Sequence, residues 1–291
     1  MSPGTLGLAG LFVLVWASAF NAARIVAQEW PPLMALSLRF AIGVPILLAI
    51  AWYARARLPA RADLPRIAAM GAFGMGGYLG CAWAASALIP SGLVALLSAT
   101  APLCVALGER LLFGRHLTVR AWAGLALGWV GVAMLGLPRA AGGLTDAASL
   151  GIAVALAGAV FQAGGLLAFA PARGRLDPLT SNLGQTIVAA MVVAPFSLAL
   201  ESVPVAAPGW LGVAALAWSI LVVGLGGYAL YFTLLRRLPA SSAAALQLLA
   251  PPVAALIGWA LLGETLRLSD VAGGMVTLGG LAMLLRAPRS G

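Results

Sequence analysis

Ten apolar runs, each about as long as a bilayer's hydrocarbon core is thick, follow one another along the chain, and no stretch between them is long enough to fold alone. They are Thr5 to Ala27, Leu33 to Tyr53, Leu64 to Ala87, Ser91 to Leu112, Thr118 to Leu137, Leu150 to Ala170, Pro178 to Leu200, Gly209 to Leu235, Ala240 to Leu262 and Ser269 to Leu285. At about 20 residues per crossing, ten helices take up most of the 291 residues, so the loops are short and there is no separate soluble domain. With 62% hydrophobic and 9% charged residues and a mean hydropathy of +1.03, the chain lacks the polar surface of a water-soluble domain. The expected fold class is an all-α integral membrane protein of ten transmembrane helices.

Composition removes whole chemistries. All seventeen cationic side chains are arginine. Without lysine there is no Schiff base to a cofactor and no Walker A motif, so ATP-driven pumping by this chain is excluded. One histidine, His116, and two cysteines, Cys81 and Cys104, cannot assemble a zinc site or a Cys-rich cluster, and no metal or cofactor is expected. Both cysteines read as packing residues in apolar runs. The net charge of +9 does not point to nucleic acid, because the arginines punctuate hydrophobic runs instead of decorating a soluble face.

The arginines set the orientation. With the N-terminus inside, thirteen arginines fall on the cytoplasmic side, from Arg55, Arg57, Arg61 and Arg66 through Arg110, Arg115, Arg120, Arg173, Arg175, Arg236 and Arg237 to Arg286 and Arg289. Only Arg24, Arg139 and Arg267 fall outside, and Arg39 lies within the second run. Both termini are therefore expected in the cytoplasm. Residues 7 to 16 followed by Ala17-Ser18-Ala19 look like a cleavable leader, but no positive residue precedes them and the apolar stretch runs on, so cleavage is not expected.

The chain also repeats itself. Gly74-Met75-Gly76-Gly77-Tyr78 returns as Gly224-Leu225-Gly226-Gly227-Tyr228 at an offset of 150. Pro90 and Pro102 return as Pro239 and Pro251 at an offset of 149, as do Gly114 and Leu117 as Gly263 and Leu266, and Gly124, Gly128 and Gly131 as Gly273, Thr277 and Gly280. A weaker match sets Pro32 and Arg39 against Pro178 and Gln185. The expected units are residues 1–140 and 148–287. Five helices per unit is an odd number, so the second copy enters the membrane upside down. Inverted repeats of this kind are the architecture of secondary transporters, in which the two halves exchange conformations to open the cavity to alternate sides.

Several motifs carry a family resemblance. Trp16-Ala17-Ser18-Ala19-Phe20, Pro32-Leu33 with Leu38-Arg39-Phe40, Pro102 and Pro251, and Gly263-Glu264 before Leu266 together resemble the EamA-type drug/metabolite transporters, and among them the ten-helix amino-acid exporters. The resemblance covers nearly the whole chain. It implies export of amino acids and related metabolites across the inner membrane. The first repeat departs from the second by placing Arg115 where Glu264 stands.

Polar and aromatic residues stranded in apolar helices mark the expected substrate pathway, since each is costly there unless it faces protein or water. They are Trp16, Ser18 and Asn21; Tyr78 and Trp83; Ser98 and Thr100; Gln162; Tyr228 and Tyr231; and Gln247. Hydroxyls, amides and rings suit neutral or zwitterionic solutes with apolar side chains and fit sugar phosphates poorly. Each has a plainer alternative. Ser18, Ser98 and Thr100 can bond to their own helix backbone. Trp30, Trp52 and Trp210 are assigned to the interfacial belt. Arg39, roughly 9 Å inside its span, is assigned a structural role, snorkelling outward or pairing with Glu29.

Gly76, Gly77, Gly226 and Gly227 permit close helix approach, and Pro102, Pro251 and Pro252 interrupt backbone bonding in mid-span. These are the expected hinges, with spans 3, 4, 8 and 9 around the cavity. Of the carboxylates only Glu109 falls inside a span, and beside Arg110 it reads as a surface ion pair, so facilitated diffusion is preferred over proton coupling. An enzyme or a channel is disfavoured by the absence of a buried catalytic set or a continuous polar stripe. A flippase for lipids or lipid-linked sugars remains the alternative. The expected partners are membrane lipid and a small-molecule substrate, and the Gly124, Gly128, Gly131 face is expected to pair spans 5 and 10 within a single functional monomer.

Overall fold

In hydrocarbon a backbone amide has no water to bond, so apolar runs of this length satisfy themselves as helices. The computed structural model describes residues 3–89, 94, 97–114, 118–140, 146–202, 209–238, 243, 245–262 and 268–285, and among these all regular structure is helical. The elements are α1 (Pro3–Glu29), α2 (Pro32–Tyr53), α3 (Arg61–Ser86), α4 (Ala101–Phe113), α5 (Val119–Ala140), α6 (Asp146–Phe169), α7 (Pro178–Leu200), α8 (Trp210–Arg237), α9 (Ala250–Leu262) and α10 (Leu268–Leu285). Among the described residues six of them, α1, α2, α3, α6, α7 and α8, are long and apolar enough to cross a membrane. Pro90, Leu117, Pro239, Gly263 and Leu266 of the repeat, and Arg115, His116, Glu264, Arg267, Arg286 and Arg289, lie outside the described residues.

Local chemistry sets the helix ends. Proline occupies the first turn of α2 and of α7, where its missing N–H costs nothing. Asp177 caps α7, its carboxylate accepting from the N–H groups of Leu179 at 2.8 Å and Thr180 at 3.2 Å. Gly114, at φ +62°, closes α4 in the left-handed conformation. The prolines expected in mid-span sit instead at helix starts. Pro102 is the second residue of α4, after a turn at Ala99 and Thr100, and Pro251 and Pro252 open α9 after a 3-10 turn at Leu246–Leu249. A proline has no donor for the preceding turn, so a helix start accommodates it without loss, whereas Pro45 of α2 and Pro195 of α7 lie inside their helices.

The two Gly-x-Gly-Gly-Tyr motifs share a conformation. Met70–Gly77 in α3 and Ser219–Gly227 in α8 are both π-helical, and both return to α-helix at the tyrosine, Tyr78 or Tyr228. Glycine lets α3 press against its neighbours. A Cβ on Gly71 would lie 2.7 Å from the carbonyl oxygen of Gln185 on α7, and one on Gly165 of α6 would lie 2.5 Å from the Cα of Gly74.

Packing interlocks the two halves of the chain. Helix α1 lies against α8 and α9, while α6 lies against α3 and α4; α2 packs on α7, and α5 packs on α10. On one face Glu29, ending α1, accepts from the Gly209 N–H at 2.7 Å, and Glu201, just after α7, accepts from Leu33 and Met34 at 2.8 and 2.6 Å at the start of α2. Elsewhere Arg175 donates through Nε to Asp63 at 3.1 Å and closes a second bond through a terminal nitrogen. That bond from Asp63 holds the Arg175 guanidinium above its ordinary range.

The seam between α5 and α10 is closed within one chain, as the glycine face suggested. Thr277 is fully buried, its hydroxyl donating to Gly273 at 2.8 Å and standing 3.5 Å from the Gly128 carbonyl. A Cβ on Gly280 would lie 2.5 Å from the Gly124 carbonyl and 2.8 Å from the Gly128 Cα, both backbone atoms that cannot step aside. Beside it Gly279 has open space around its Cβ position. Gly280→Ala should therefore destabilise the detergent-solubilised protein by about 1–3 kcal/mol, and Gly279→Ala should be neutral or slightly stabilising. Thermal unfolding of the pair checks this, and a Gly280→Ala protein as stable as Gly279→Ala would contradict the packing.

Candidate functional site

Phe12 and Trp16 lie one turn apart on α1, and Tyr228, Tyr231 and Phe232 recur at three- and four-residue spacing on α8, so each set shares a helix face. Where the helices meet, the rings interlock. Trp16 stands edge-on to Tyr228 with centroids 5.0 Å apart and tilts against Tyr231 at 5.7 Å, while Phe12 stacks on Tyr231 at 5.3 Å. Phe232 continues the cluster to Phe169 of α6 at 5.2 Å. All of these rings are buried. Tyr78, from the matching position of α3, lies within electrostatic reach of Tyr228 and Tyr231.

Polar atoms line this aromatic cluster, most of them facing one another. Gln162 of α6 donates its amide to Gln247 at 3.0 Å, which fixes one end of each side chain. Among the described residues the Tyr228 hydroxyl is left without a hydrogen-bond partner, while Ser98 faces Tyr78 and Gln247 faces Tyr231 closely enough for a weak hydrogen bond. Each unpaired buried atom costs about 1–3 kcal/mol, which a solute or water in contact with it recovers. The set holds hydroxyl and amide groups beside aromatic faces.

A second polar group lies where α2, α7 and α8 meet. Asn182, fully buried, donates to the Gly224 carbonyl at 3.0 Å and, more weakly, to Leu225 at 3.5 Å, on the π-helical turn of α8. Gln185 donates to Asn182 at 3.2 Å, and the Thr186 hydroxyl donates to the Asn182 carbonyl at 2.7 Å. The oxygen of Gln185 is left without a partner. Beside them Arg39 is only 4% exposed, with its guanidinium 5.9 Å from the Phe40 ring centre and one terminal nitrogen unpartnered. Arg39, Met75, Thr186, Gly224 and Leu225 line a small cavity.

Thus Trp16, Tyr78, Ser98, Gln162, Tyr228, Tyr231 and Gln247 come together, and other candidates stand apart. The Ser18 hydroxyl donates to its own helix at Val15, 2.7 Å away, and accepts from the Trp218 indole at 2.9 Å. Thr100 likewise bonds to Leu97 at 2.7 Å. Trp83 is a buried core residue, and Asn21 is half-buried with its amide nitrogen unpartnered. Gly76 abuts Ala189, Gly77 abuts Phe161, Gly227 abuts Val15, and Gly226 faces open space. Trp52 and Trp210 stand out from helix ends, while Trp30 is half-buried.

Two charged residues depart from the reading of the sequence. Arg39 neither snorkels nor pairs with Glu29, because Glu29 is engaged by Gly209 and the arginine points into the packed junction of α2, α7 and α8. Glu109 is not a surface residue: it is 2% exposed, since α6 covers that end of α4, with Gly108 against Leu167. Phe12, Asn182 and Gln185 were missed. Phe12 was legible as the residue one turn before Trp16, and the two amides by the criterion that singled out Gln162.

If the Gln162–Gln247 contact holds the cluster, Gln247→Leu strands the Gln162 amide and costs about 1–3 kcal/mol. The Gln162→Leu/Gln247→Leu double variant should be distinctly more stable than the sum of the single losses predicts. Thermal unfolding of the four proteins measures the coupling, and strictly additive losses would show that the pair does not interact.

The EamA-like transporter family profile matches residues 5–137 and 149–286. The uncharacterized inner membrane transporter YedA of Escherichia coli (strain K12) is 29% identical over 261 residues, covering 87% of this chain and 81% of that protein. A protein of Streptantibioticus cattleyicolor named as a probable terminal-alkyne amino-acid exporter is 28% identical over 277 residues, covering 95% and 91%. A crystal structure of a protein 22% identical to this one superposes with a TM-score of 0.78 over 97% of this chain and 96% of the other, so the fold is shared.

Proposed function

Because the chain belongs to the EamA-like transporter family, we propose that it is a secondary transporter that exports neutral and aromatic amino acids and related metabolites across the inner membrane by alternating access. Two inverted five-helix halves, residues 1–140 and 148–287, make up ten spans with both termini in the cytoplasm. The packing supports this reading. The first helix of each half lies against the third and fourth helices of the other, α1 on α8 and α9 and α6 on α3 and α4. Asp63 and Arg175 meet across loops separated by four spans, and Glu29 and Gly209 across loops separated by six, as alternate crossing requires.

The observation that carries the substrate class is the buried cluster of Trp16, Tyr78, Tyr228, Tyr231, Gln162 and Gln247, with hydroxyl and amide groups beside aromatic faces and the Tyr228 hydroxyl unpaired. It offers hydrogen bonds to a polar head and rings to an apolar side chain. The relative named as an amino-acid exporter points the same way. The π-helical turns at Gly76–Gly77 and Gly226–Gly227 and the helix starts at Pro102, Pro251 and Pro252 are the places where the halves bend.

The test is counterflow of labelled phenylalanine, methionine and threonine in liposomes carrying the purified protein, with a lipid-flip control. Saturable movement, reduced tenfold or more by Tyr228→Ala without loss of folded protein, is the expected result. Lipid flipping without amino-acid movement would contradict the reading.

A further inference from the structure

Arg39 is a permanent cation, since a guanidinium keeps its proton in proteins. It lies buried about two turns into α2, with one terminal nitrogen unpartnered. A charge at such depth is costly unless something opposite meets it. Among the described residues no carboxylate does: Glu29 is held by Gly209, Asp63 by Arg175, Asp177 by the start of α7, Glu201 by the start of α2, and Glu109 is engaged on α4.

The surroundings of the guanidinium are built to leave it free. At position 224 a Cβ would lie 3.6 Å from its Nε, so the glycine there keeps the face toward α8 bare. On α7 the Asn182 side chain is committed at both ends, donating to the Gly224 carbonyl and accepting from Gln185. The cavity that Arg39 shares with Thr186, Met75 and Leu225 therefore presents a fixed positive charge with no protein anion. Arg39 is also within electrostatic reach of Tyr228, whose ring packs edge-on against Trp16 at 5.0 Å. Gly224 and Leu225, which line the cavity, stand about one turn before Tyr228 on α8, so the cation and the aromatic cluster adjoin the same turn of that helix.

We propose that Arg39 is the anchor for a carboxylate, so that the site takes solutes carrying a carboxylate at one end and an apolar or aromatic body at the other. The carboxylate accepts from the free guanidinium nitrogen, and the body lies against Tyr228 and Trp16. This rests on the export reading for its biological substrate, while the carboxylate site itself is testable without it. It also explains why the cavity holds one cation and no more: a single carboxylate is neutralised, and a doubly charged phosphate is not.

The probes are phenylacetate and phenylacetamide, alike in shape and differing in charge, with binding to the detergent-purified full chain followed by thermal shift and calorimetry. Phenylacetate should bind at least about tenfold more tightly. Arg39→Gln should abolish the preference and Arg39→Lys should keep part of it. Should Arg39→Gln fail to fold, the wild-type acid-to-amide ratio and Arg39→Lys still decide. Equal binding of acid and amide, binding of neither, or a preference unchanged in Arg39→Gln overturns the proposal. Liposome counterflow of phenylalanine against phenylalaninamide separates the two readings. Acid binding through Arg39 with no amino-acid movement sinks the export reading alone, and equal movement of acid and amide sinks the anchor alone.

Discussion

Inside a bilayer a polar side chain has only protein, or what the protein carries, to pair with, and this constraint orders the interior of the molecule. It has been met in three ways. Thr186, Ser18 and Thr100 turn back on their own helix. Gln162 and Gln247 meet across the halves, and Asn182 reaches the backbone of α8. A third set, the Tyr228 hydroxyl and one terminal nitrogen of Arg39 among the described residues, is left without partners.

Under the proposed mechanism the aromatic cluster lies where the two halves move against each other. Because α1 lies on α8 and α9, the aromatic cluster is made jointly by helices from both halves, and the Gln162–Gln247 contact likewise crosses between them. Motion of one half relative to the other must remake these contacts. The α5–α10 seam, with backbone against backbone at Gly128 and Gly280, is the opposite case: it has no slack. The π-helical turns before Tyr78 and Tyr228 carry the two tyrosines into the site from helices α3 and α8.

Much of this was legible in the residues themselves. Apolar runs located α1, α2, α3, α6, α7 and α8 to within a few residues, and the glycines at an offset of 149 turned out to face each other across α5 and α10. The rings of Trp16, Tyr228 and Tyr231 were picked out by their depth alone. What the sequence hid depended on distant partners. Ser18 is taken out of the site by Trp218, 200 residues away, and Glu109 is covered by α6. Arg39 could have swung outward or inward along the same helix. Its direction is settled by Gly224 and Thr186, which no local pattern brings beside it. The starts of α4 and α9 at their prolines depend on whether the preceding segment continues the helix, and hydropathy does not report that.

The central claim is that one buried site is opened in turn to the two sides of the membrane. Cysteine accessibility tests it most directly: Ser98→Cys, placed in a background with Cys81 and Cys104 replaced by alanine, exposed to a membrane-impermeant thiol reagent in right-side-out and in inside-out vesicles. The account predicts labelling from both sides, slowed in each case by transported solute. Labelling from one side only, whatever the solute, would contradict it.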